Sequence, residues 1–248
     1  MDTPAQQKFR ILVVGDVCVD IYHYGTVDRI SPEAPVPVFV PTREESTNGM
    51  AANVAANLVA LGCEAVVASG PPGTKTRLID ERSKQQIIRI DNDVINPPFA
   101  FNGIDISVCD AVVISDYNKG NVTYELMEYL RKQFAGPIFV DTKKTDLARL
   151  QGCIVKINHK EFLDAKTLCN ELIVTHGGQG ATYKDQTYPA VEIAVTDVCG
   201  AGDTFLAALC YNYLISNDLN LAIEFAIRAS AVTVQHIGVY APTLEEIK

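Results

Sequence analysis

Short apolar segments of three to five residues recur along the chain, and each ends beside Gly, Asp, Asn or Thr. Apolar segments of this length, bounded by turn-forming residues, are typical of strands that are buried on both faces of a parallel sheet. We therefore predict six such strands, at residues 11–14, 65–69, 111–114, 138–140, 154–157 and 172–175.

Longer segments with a helical spacing of apolar positions lie between and after these strands. They predict helices at residues 51–61, 123–133, 204–215 and 219–235. This alternation favours an α/β fold with an open, mostly parallel sheet flanked by helices, and residues 1–248 are expected to form a single domain. Ligands of such sheets gather at the carboxyl ends of the strands, where Asp16, Asp116, Asp141, Asn158 and Thr175 occur.

Residues 36–40, 76–79 and 86–91 carry strand-forming side chains with no helix between the last two segments. They predict a small antiparallel flap beside the main sheet, within about residues 34–42 and 74–92. Because such a flap leaves strand edges free to pair with another chain, we expect a homodimer through this sheet.

The net charge of −9 and the pI of about 4.9 argue against nonspecific binding of nucleic acid or of a membrane surface. Small molecules are therefore the expected partners. No apolar segment approaches the length of a membrane span and the first ten residues are polar, which predicts a cytoplasmic protein. The seven cysteines form no Cys-x-x-Cys pair, so we assign them a reduced packing role.

Residues 198–204 read Val-Cys-Gly-Ala-Gly-Asp-Thr and lead directly into a predicted helix. Gly200 and Gly202 permit a tight turn whose N–H groups converge, and the positive end of the helix faces the same point. Such a turn would hold a phosphate, with the Asp203 carboxylate beside it as a base. The alternative is an ordinary Gly-rich turn with Asp203 as a helix cap. The segment lacks the Lys-Ser/Thr pair of a Walker loop and the early G-x-G-x-x-G of a dinucleotide site.

Further segments with polar or glycine residues at fixed positions occur at residues 15–20, 30–38, 48–53, 115–120, 141–143 and 158–161. Their order, together with the Gly-Ala-Gly-Asp motif, resembles that of the ribokinase-like carbohydrate kinases of the phosphofructokinase-B type, and most of all their heptose 7-phosphate kinases. The connection at residues 70–73 is much shorter than in this family, and Asn48 stands where the family has glycine. The chain therefore resembles a shortened member.

The resemblance implies that ATP is the phosphoryl donor and that Mg²⁺ accompanies it. It implies that Asp203 is the catalytic base, while the N–H groups of Gly200, Ala201 and Gly202 stabilise the transferred phosphoryl group. Residues implied for the nucleotide are Asn158, Glu161, Thr175, Gly177, Gly178, Gly180, Gly200 and Gly202. Glu161 would organise Mg²⁺ through water, although Asn158 and Glu161 also have the spacing of a helix capping box. K⁺ or another monovalent cation would lie near Asp197.

We also expect a sugar site made by Asp16, Asp20, Gly49, Asn53, Asp116, Lys119 and Lys143, of which Gly49 and Asn53 match a sugar-binding segment of the family. Asp20 matches the family's sugar-binding carboxylate, which can accept hydrogen bonds from neighbouring hydroxyls, whereas Asp16 could instead form a turn. Candidates for a phosphate already present on the sugar are Lys119, Lys143, Arg77 and Arg89, each with a solvated surface role as the alternative.

The implied reaction transfers the γ-phosphoryl group of ATP to D-glycero-D-manno-heptose 7-phosphate and yields the 1,7-bisphosphate. A kinase for another sugar or for a nucleoside is one alternative, because acceptor specificity lies in the flap contacts. A non-catalytic protein that binds sugar or nucleotide is the other, and the shortened chain motivates it.

Overall fold

The short apolar segments form one large sheet in the computed structural model of the protein, which describes residues 8–100 and 104–247. Its strands are β1 (Arg10–Gly15), β4 (Glu64–Ala68), β7 (Ala111–Asp116), β8 (Ile138–Thr142), β9 (Ile154–Asn158), β10 (Leu172–Thr175), β11 (Ala181–Tyr183) and β12 (Gln186–Tyr188). They lie in the order β12-β11-β10-β9-β8-β7-β1-β4. All neighbours from β10 to β4 pair in parallel, whereas β11 and β12 add an antiparallel hairpin beside β10.

Helices cover both faces of this sheet, as a mostly parallel sheet requires. They are α1 (Ala51–Ala60), α2 (Tyr124–Gln133), α3 (His159–Asp164), α4 (Ala201–Ser216) and α5 (Leu219–Thr233). In β1, Ile11 and Val13 pack in one core cluster with α1, α4 and α5, whereas Leu12 and Val14 pack in a second cluster with α2. Successive side chains of a strand point to opposite faces, so burial on both faces explains why the strands read as continuous apolar segments.

A second, smaller sheet contains β2 (Val17–Ile30), β3 (Pro37–Met50), β5 (Gly73–Asp80) and β6 (Gln86–Asn92), in the order β3-β2-β5-β6. The hairpins β2–β3 and β5–β6 are antiparallel, and they join through the parallel pair β2–β5. The predicted flap is thus confirmed as a smaller sheet. Its inner strand β2 is missing from the prediction, because Val17–Ile30 mixes polar and glycine residues with apolar ones.

The main sheet reverses its direction of growth at β1, which has β4 on one side and β7 on the other. A crevice forms at such a reversal, beyond the carboxyl ends of the strands, and this is where open α/β sheets bind ligands. Asp16 follows β1 and Tyr117 follows β7 at this crevice. The flap strand β2 begins directly after Asp16, so its first residues lie at the same place.

The six predicted strands and four predicted helices are all present, with ends displaced by a few residues. The strands β11 and β12 were not predicted, because three residues are too few to show a periodic pattern of apolar positions. Among the helices of residues 8–100 and 104–247, none has the length and apolar character needed to cross a membrane. Residues 1–7, on which the expected polar start of the chain largely rests, lie outside the described residues.

Candidate active site

The Gly-rich motif forms the beginning of α4. Gly200 is the N-cap and has a φ of +76°, in the left-handed region that favours glycine. A Cβ on Gly200 would lie 2.9 Å from Asn53 Nδ2, so a side chain there would also press on α1. The helix starts at Ala201 and not at the predicted Thr204, so the motif's small residues form the first turn themselves.

Gly202 lies within that first turn, and positive φ is therefore required only at Gly200 in this motif. Gly202 instead leaves room for a neighbouring side chain, since its Cβ would lie 3.0 Å from Lys156 Nζ. The N–H group of Ala201 donates to Val198 O at 3.4 Å. A helix offers no acceptors of its own to the N–H groups of its first turn, and the dipole adds positive potential, so this end of α4 suits an anion.

Asp203 is buried in the same turn, and each of its carboxylate oxygens accepts a hydrogen bond. Asn53 Nδ2 donates to Oδ2 at 2.8 Å, and the Tyr117 hydroxyl donates to Oδ1 at 3.0 Å. Burial raises the pKa of Asp203 to about 6, and the hydrogen bond from Asn53 opposes this rise. The carboxylate is therefore ionised at neutral pH, with a basicity suited to general-base chemistry.

A series of hydrogen bonds between buried polar side chains holds Asn53 in place. Asn57 Nδ2 donates to Asn53 O at 2.8 Å, and the Thr204 hydroxyl donates to Asn57 Oδ1 at 2.8 Å. The Thr233 hydroxyl donates to Thr204 Oγ1 at 2.9 Å. These contacts tie α1, α4 and α5 together beneath Asp203, so this carboxylate belongs to a rigid part of the core.

The sequence predicts that Asp16 and Asp20 flank a strand exit, but the structure places Asp20 within β2. Its buried carboxylate forms an ion pair with Arg77, which faces it from β5. A Cβ on Gly49 would lie 2.3 Å from Asp20 Oδ2, which explains why β3 carries glycine at this point. Of the residues predicted for the sugar, Asp20 and Gly49 thus lie together in the flap, and Asn53 of α1 contacts Asp203.

Asp16 and Asp116 are engaged by the protein itself. Asp16 Oδ2 accepts the backbone N–H groups of Tyr117 and Lys119, at 2.9 and 3.0 Å. Asp116 accepts hydrogen bonds from the Thr142 hydroxyl and from the Asn118 N–H group, and burial raises its pKa. Both carboxylates therefore shape the loop after β7, and their predicted contact with the sugar stays a prediction.

A cavity of about 720 Å³ opens on the other side of the motif. The predicted nucleotide residues that line it are Asn158, Thr175, Gly177, Gly178, Gly180 and Gly202, whereas Glu161 and Gly200 are not among its lining residues. Its lining includes the apolar side chains of Phe205, Ile227 and Val234 and the charged side chains of Lys143 and Lys156. Apolar walls with a few charged groups are typical of small-molecule sites of this size.

Asn158 and Glu161 form the capping box of α3. The Glu161 N–H group donates to Asn158 Oδ1 at 2.9 Å, and the Asn158 N–H group donates to Glu161 Oε2 at 2.8 Å. The other oxygen of Glu161 forms an ion pair with Lys143. The capping alternative is therefore realised, and the Mg²⁺ role of Glu161 stays a prediction.

Lys156 is a buried lysine that the sequence reasoning missed. It pairs with Asp141 at 2.7 Å and projects toward Gly202. Burial alone would lower the pKa of Lys156, but the Asp141 carboxylate raises it, so the amine is charged. A signal existed, because a lysine that interrupts the apolar strand at residues 154–157 needs a buried partner.

Comparisons with known proteins give the site its context. A family model described as pfkB family carbohydrate kinase matches residues 71–247, more than half of the chain. The chain belongs to this family. The carbohydrate kinase is similar to the D-beta-D-heptose 7-phosphate kinase of Bordetella bronchiseptica, with 32% identity over 306 residues that cover 98% of this chain and 97% of the relative. It is also similar to the Bifunctional protein HldE of Nitratiruptor sp., with 34% identity over 299 residues.

The two alignments extend over 299 and 306 positions, whereas this chain has 248 residues. The relatives therefore have residues that this chain lacks, and the prediction of a shortened member is confirmed. The alignment with HldE includes 97% of this chain but only 64% of the length of HldE. Ribokinase from Thermotoga maritima superposes with a TM-score of 0.71 at 18% identity, over 96% of this chain and 98% of that one. Arabidopsis thaliana ribokinase, complexed with ribose and ATP, also gives 0.71, at 15% identity over 97% and 98%. The ribokinase-like fold is thereby confirmed.

Three predicted residues of the kinase have partners away from Asp203. Lys119 forms an ion pair with Asp93, and Arg89 pairs with Asp91 at 2.8 Å on the exposed strand β6. The Asp197 carboxylate accepts the N–H groups of Cys199 and Gly238, at 3.0 and 2.9 Å, and so joins two loops. The monovalent cation near Asp197 and the phosphate contacts of Lys119 and Arg89 stay predictions.

Proposed function

We propose that the kinase transfers the γ-phosphoryl group of ATP to a hydroxyl of a sugar phosphate, with D-glycero-D-manno-heptose 7-phosphate as the acceptor. The observation that carries the proposal is the position of Asp203. This buried carboxylate follows Gly202, which lines the cavity with other predicted nucleotide residues. It accepts hydrogen bonds from Tyr117, which also lines the cavity, and from Asn53, a residue predicted for the sugar. A relative named D-beta-D-heptose 7-phosphate kinase supports the choice of acceptor.

In the proposed reaction, Asp203 accepts the proton of the acceptor hydroxyl as that oxygen attacks the γ-phosphorus. The bond between the γ-phosphorus and the bridging oxygen breaks as the new bond forms, and ADP leaves with that oxygen. Asp20 accepts hydrogen bonds from neighbouring sugar hydroxyls and so orients the attacking one. Because Asn53 and Tyr117 hold Asp203 in place, its free lone pairs meet the hydroxyl in a defined direction.

Positive potential for the transferred group comes from two sources in the proposal. Ala201 and Gly202 at the positive start of α4 line the cavity, and Lys156 adds a full charge beside Gly202. Mg²⁺ would neutralise the phosphates of ATP. Glu161 would hold it through water, since Mg²⁺ beside phosphates takes one or two carboxylates.

The acceptor phosphate would meet the cationic side chains of β5. Arg77 and Lys75 lie on the same face of this strand, since they are two residues apart. Arg77 reaches Asp20, and Lys75 lies 5.7 Å from the centre of the Tyr117 ring. In this proposal Lys143, which lines the cavity, also serves the phosphates of ATP, and its contact with the sugar phosphate stays a prediction.

A panel of sugars and sugar phosphates with ADP release as the readout tests the proposal. Heptose 7-phosphate should give a higher kcat/KM than unphosphorylated heptose, and Asp203→Asn should lower the rate of ADP release by about 10²- to 10⁴-fold with both. If the free sugar performs equally well or better, the acceptor is not a sugar phosphate.

Another sugar or a nucleoside is the second candidate acceptor. The observation that favours it is the shortened chain, since the residues that the relatives have in addition could contact the acceptor. Turnover of ribose, fructose or a nucleoside above that of heptose 7-phosphate in the same panel would establish it. Tight binding without turnover across the panel would instead indicate a non-catalytic homologue. The cytoplasmic location stays a prediction from composition.

A further inference from the structure

Tyr117 occupies the loop after β7, and two buried carboxylates hold this loop. Asp16 Oδ2 accepts the N–H group of Tyr117 itself, at 2.9 Å, and that of Lys119. Asp116 accepts the N–H group of Asn118 at 2.9 Å. The backbone on both sides of Tyr117 is thus fixed by strands β1 and β7, which places its hydroxyl at a defined point above the crevice.

That hydroxyl donates to Asp203 Oδ1 at 3.0 Å. The other oxygen accepts from Asn53 of α1, so two donors from separate elements hold one carboxylate. A carboxylate held at both oxygens has little freedom to rotate, and each donated hydrogen bond favours its ionised form.

Other charged groups face Asp203 from the remaining elements around it. Asp141 of β8 disfavours the ionised carboxylate, and Lys156 of β9 favours it. Cys18 of β2 is protonated, because burial raises the pKa of its thiol to about 12. These groups stay in place when the Tyr117 hydroxyl is removed, so its contribution can be measured separately.

We propose that Tyr117 is the positioning residue of the base: its hydroxyl orients the Asp203 carboxylate toward the acceptor and keeps it ionised at neutral pH. This inference rests on the proposed function for its kinetic consequence, and on the contact alone for its effect on ionisation. Tyr117 keeps its proton in this scheme and stays a donor, because burial and the neighbouring Asp203 raise its own pKa well above the usual value.

The variant Tyr117→Phe removes one donor to the ionised carboxylate, so the pKa of Asp203 should rise above about 6. A base works only when deprotonated, so the acid limb of kcat should move to higher pH, by about one unit. The ratio of wild-type to variant kcat should therefore be about fivefold larger near pH 6 than at the high-pH plateau. Looser orientation should lower the plateau itself by about tenfold, while KM for ATP changes less than about twofold.

Tyr183→Phe is the matched control, because the Tyr183 hydroxyl also donates to a carboxylate, that of Glu171, outside the site. Both variants and the wild type are measured as pH profiles of kcat, with unfolding temperatures to verify folding. The Asp203 carboxyl carbon is titrated in parallel by NMR on protein with ¹³C-labelled aspartate, and Asp203→Asn identifies its signal.

An acid limb and an Asp203 midpoint that both move up in Tyr117→Phe, but not in Tyr183→Phe, support the proposal. An unchanged Asp203 midpoint overturns it, whether or not the protein turns over any sugar. If the midpoint moves but the wild type phosphorylates nothing in the acceptor panel, the proposed function fails and the effect of Tyr117 on ionisation still stands. A plateau loss with an unmoved acid limb also overturns the ionisation role.

Discussion

Asp203 is a buried side chain whose carboxylate accepts hydrogen bonds from Asn53 and Tyr117. Asparagine can keep both contacts, because its oxygen accepts from Asn53 while the Tyr117 hydroxyl turns to accept from its amide. It cannot take the proton of an attacking hydroxyl. We therefore predict that Asp203→Asn lowers kcat by about 10²- to 10⁴-fold and leaves the Kd for ATP little changed.

Steady-state kinetics and calorimetric titration with ATP measure the two quantities. Asp185→Asn, on the exposed turn between β11 and β12, is the matched control and should behave as the wild type. A weaker Kd with an unchanged kcat would show that Asp203 positions the nucleotide and is not the base.

Lys156 gives the second prediction at this scale. Lys156→Met leaves Asp141 buried without its partner, so the free energy of unfolding should fall by about 3–5 kcal/mol. It also removes a charge that faces the cavity, and kcat should fall by about 10²- to 10³-fold. Adding Asp141→Asn should restore much of the stability, seen in urea unfolding, but not kcat. Recovery of wild-type turnover in this double variant would limit Lys156 to a structural role.

The start of α4 is the element that joins fold and chemistry, because its first turn supplies both Asp203 and the N–H groups near the cavity. Gly200→Ala should mainly lower stability, since a left-handed torsion costs about 1–2 kcal/mol with a Cβ, and the methyl group presses on Asn53. Gly202→Val should mainly weaken the binding of ATP, because the valine side chain would occupy the space between the turn and Lys156.

For Gly202→Val we predict that ATP affinity falls by about tenfold to a hundredfold, the loss expected for one hydrogen bond to a charged group, and that kcat falls as well. Gly202→Ala, with one methyl group, should give a smaller loss in both. Calorimetric titration and thermal unfolding separate the two glycines. Equal losses of stability at both positions, with ATP binding retained, would contradict the distinction.

At the scale of the whole molecule, the flap leaves β3 and β6 as free edges. Val40, Ile88 and Ile90 on these strands are about half exposed, with 54%, 48% and 51% of their surface accessible. Free edges with exposed apolar side chains favour pairing between chains, so we predict a homodimer through the flap.

Light scattering at micromolar concentration should give twice the mass of the chain, and Ile90→Lys on the edge strand β6 should shift it toward the monomer. Lys84→Ala, in the exposed turn between β5 and β6, serves as the control that should leave the mass unchanged. A monomeric wild type with full activity would contradict the dimer.

The sequence by itself determined the layers of the fold. A strand that is buried on both faces appears in the sequence as a continuous apolar segment, and a helix appears as apolar residues at a helical spacing. It also located the Gly200–Asp203 motif, whose residues are consecutive and whose chemistry is local. Only the tertiary structure brought Arg77 to Asp20, Tyr117 to Asp203 and Lys156 to Gly202. These pairs lie far apart along the chain and meet through the order of the strands and the parallel pairing of β2 with β5. Local patterns of polarity specify which residues are buried, but they carry no information about which strand lies beside which.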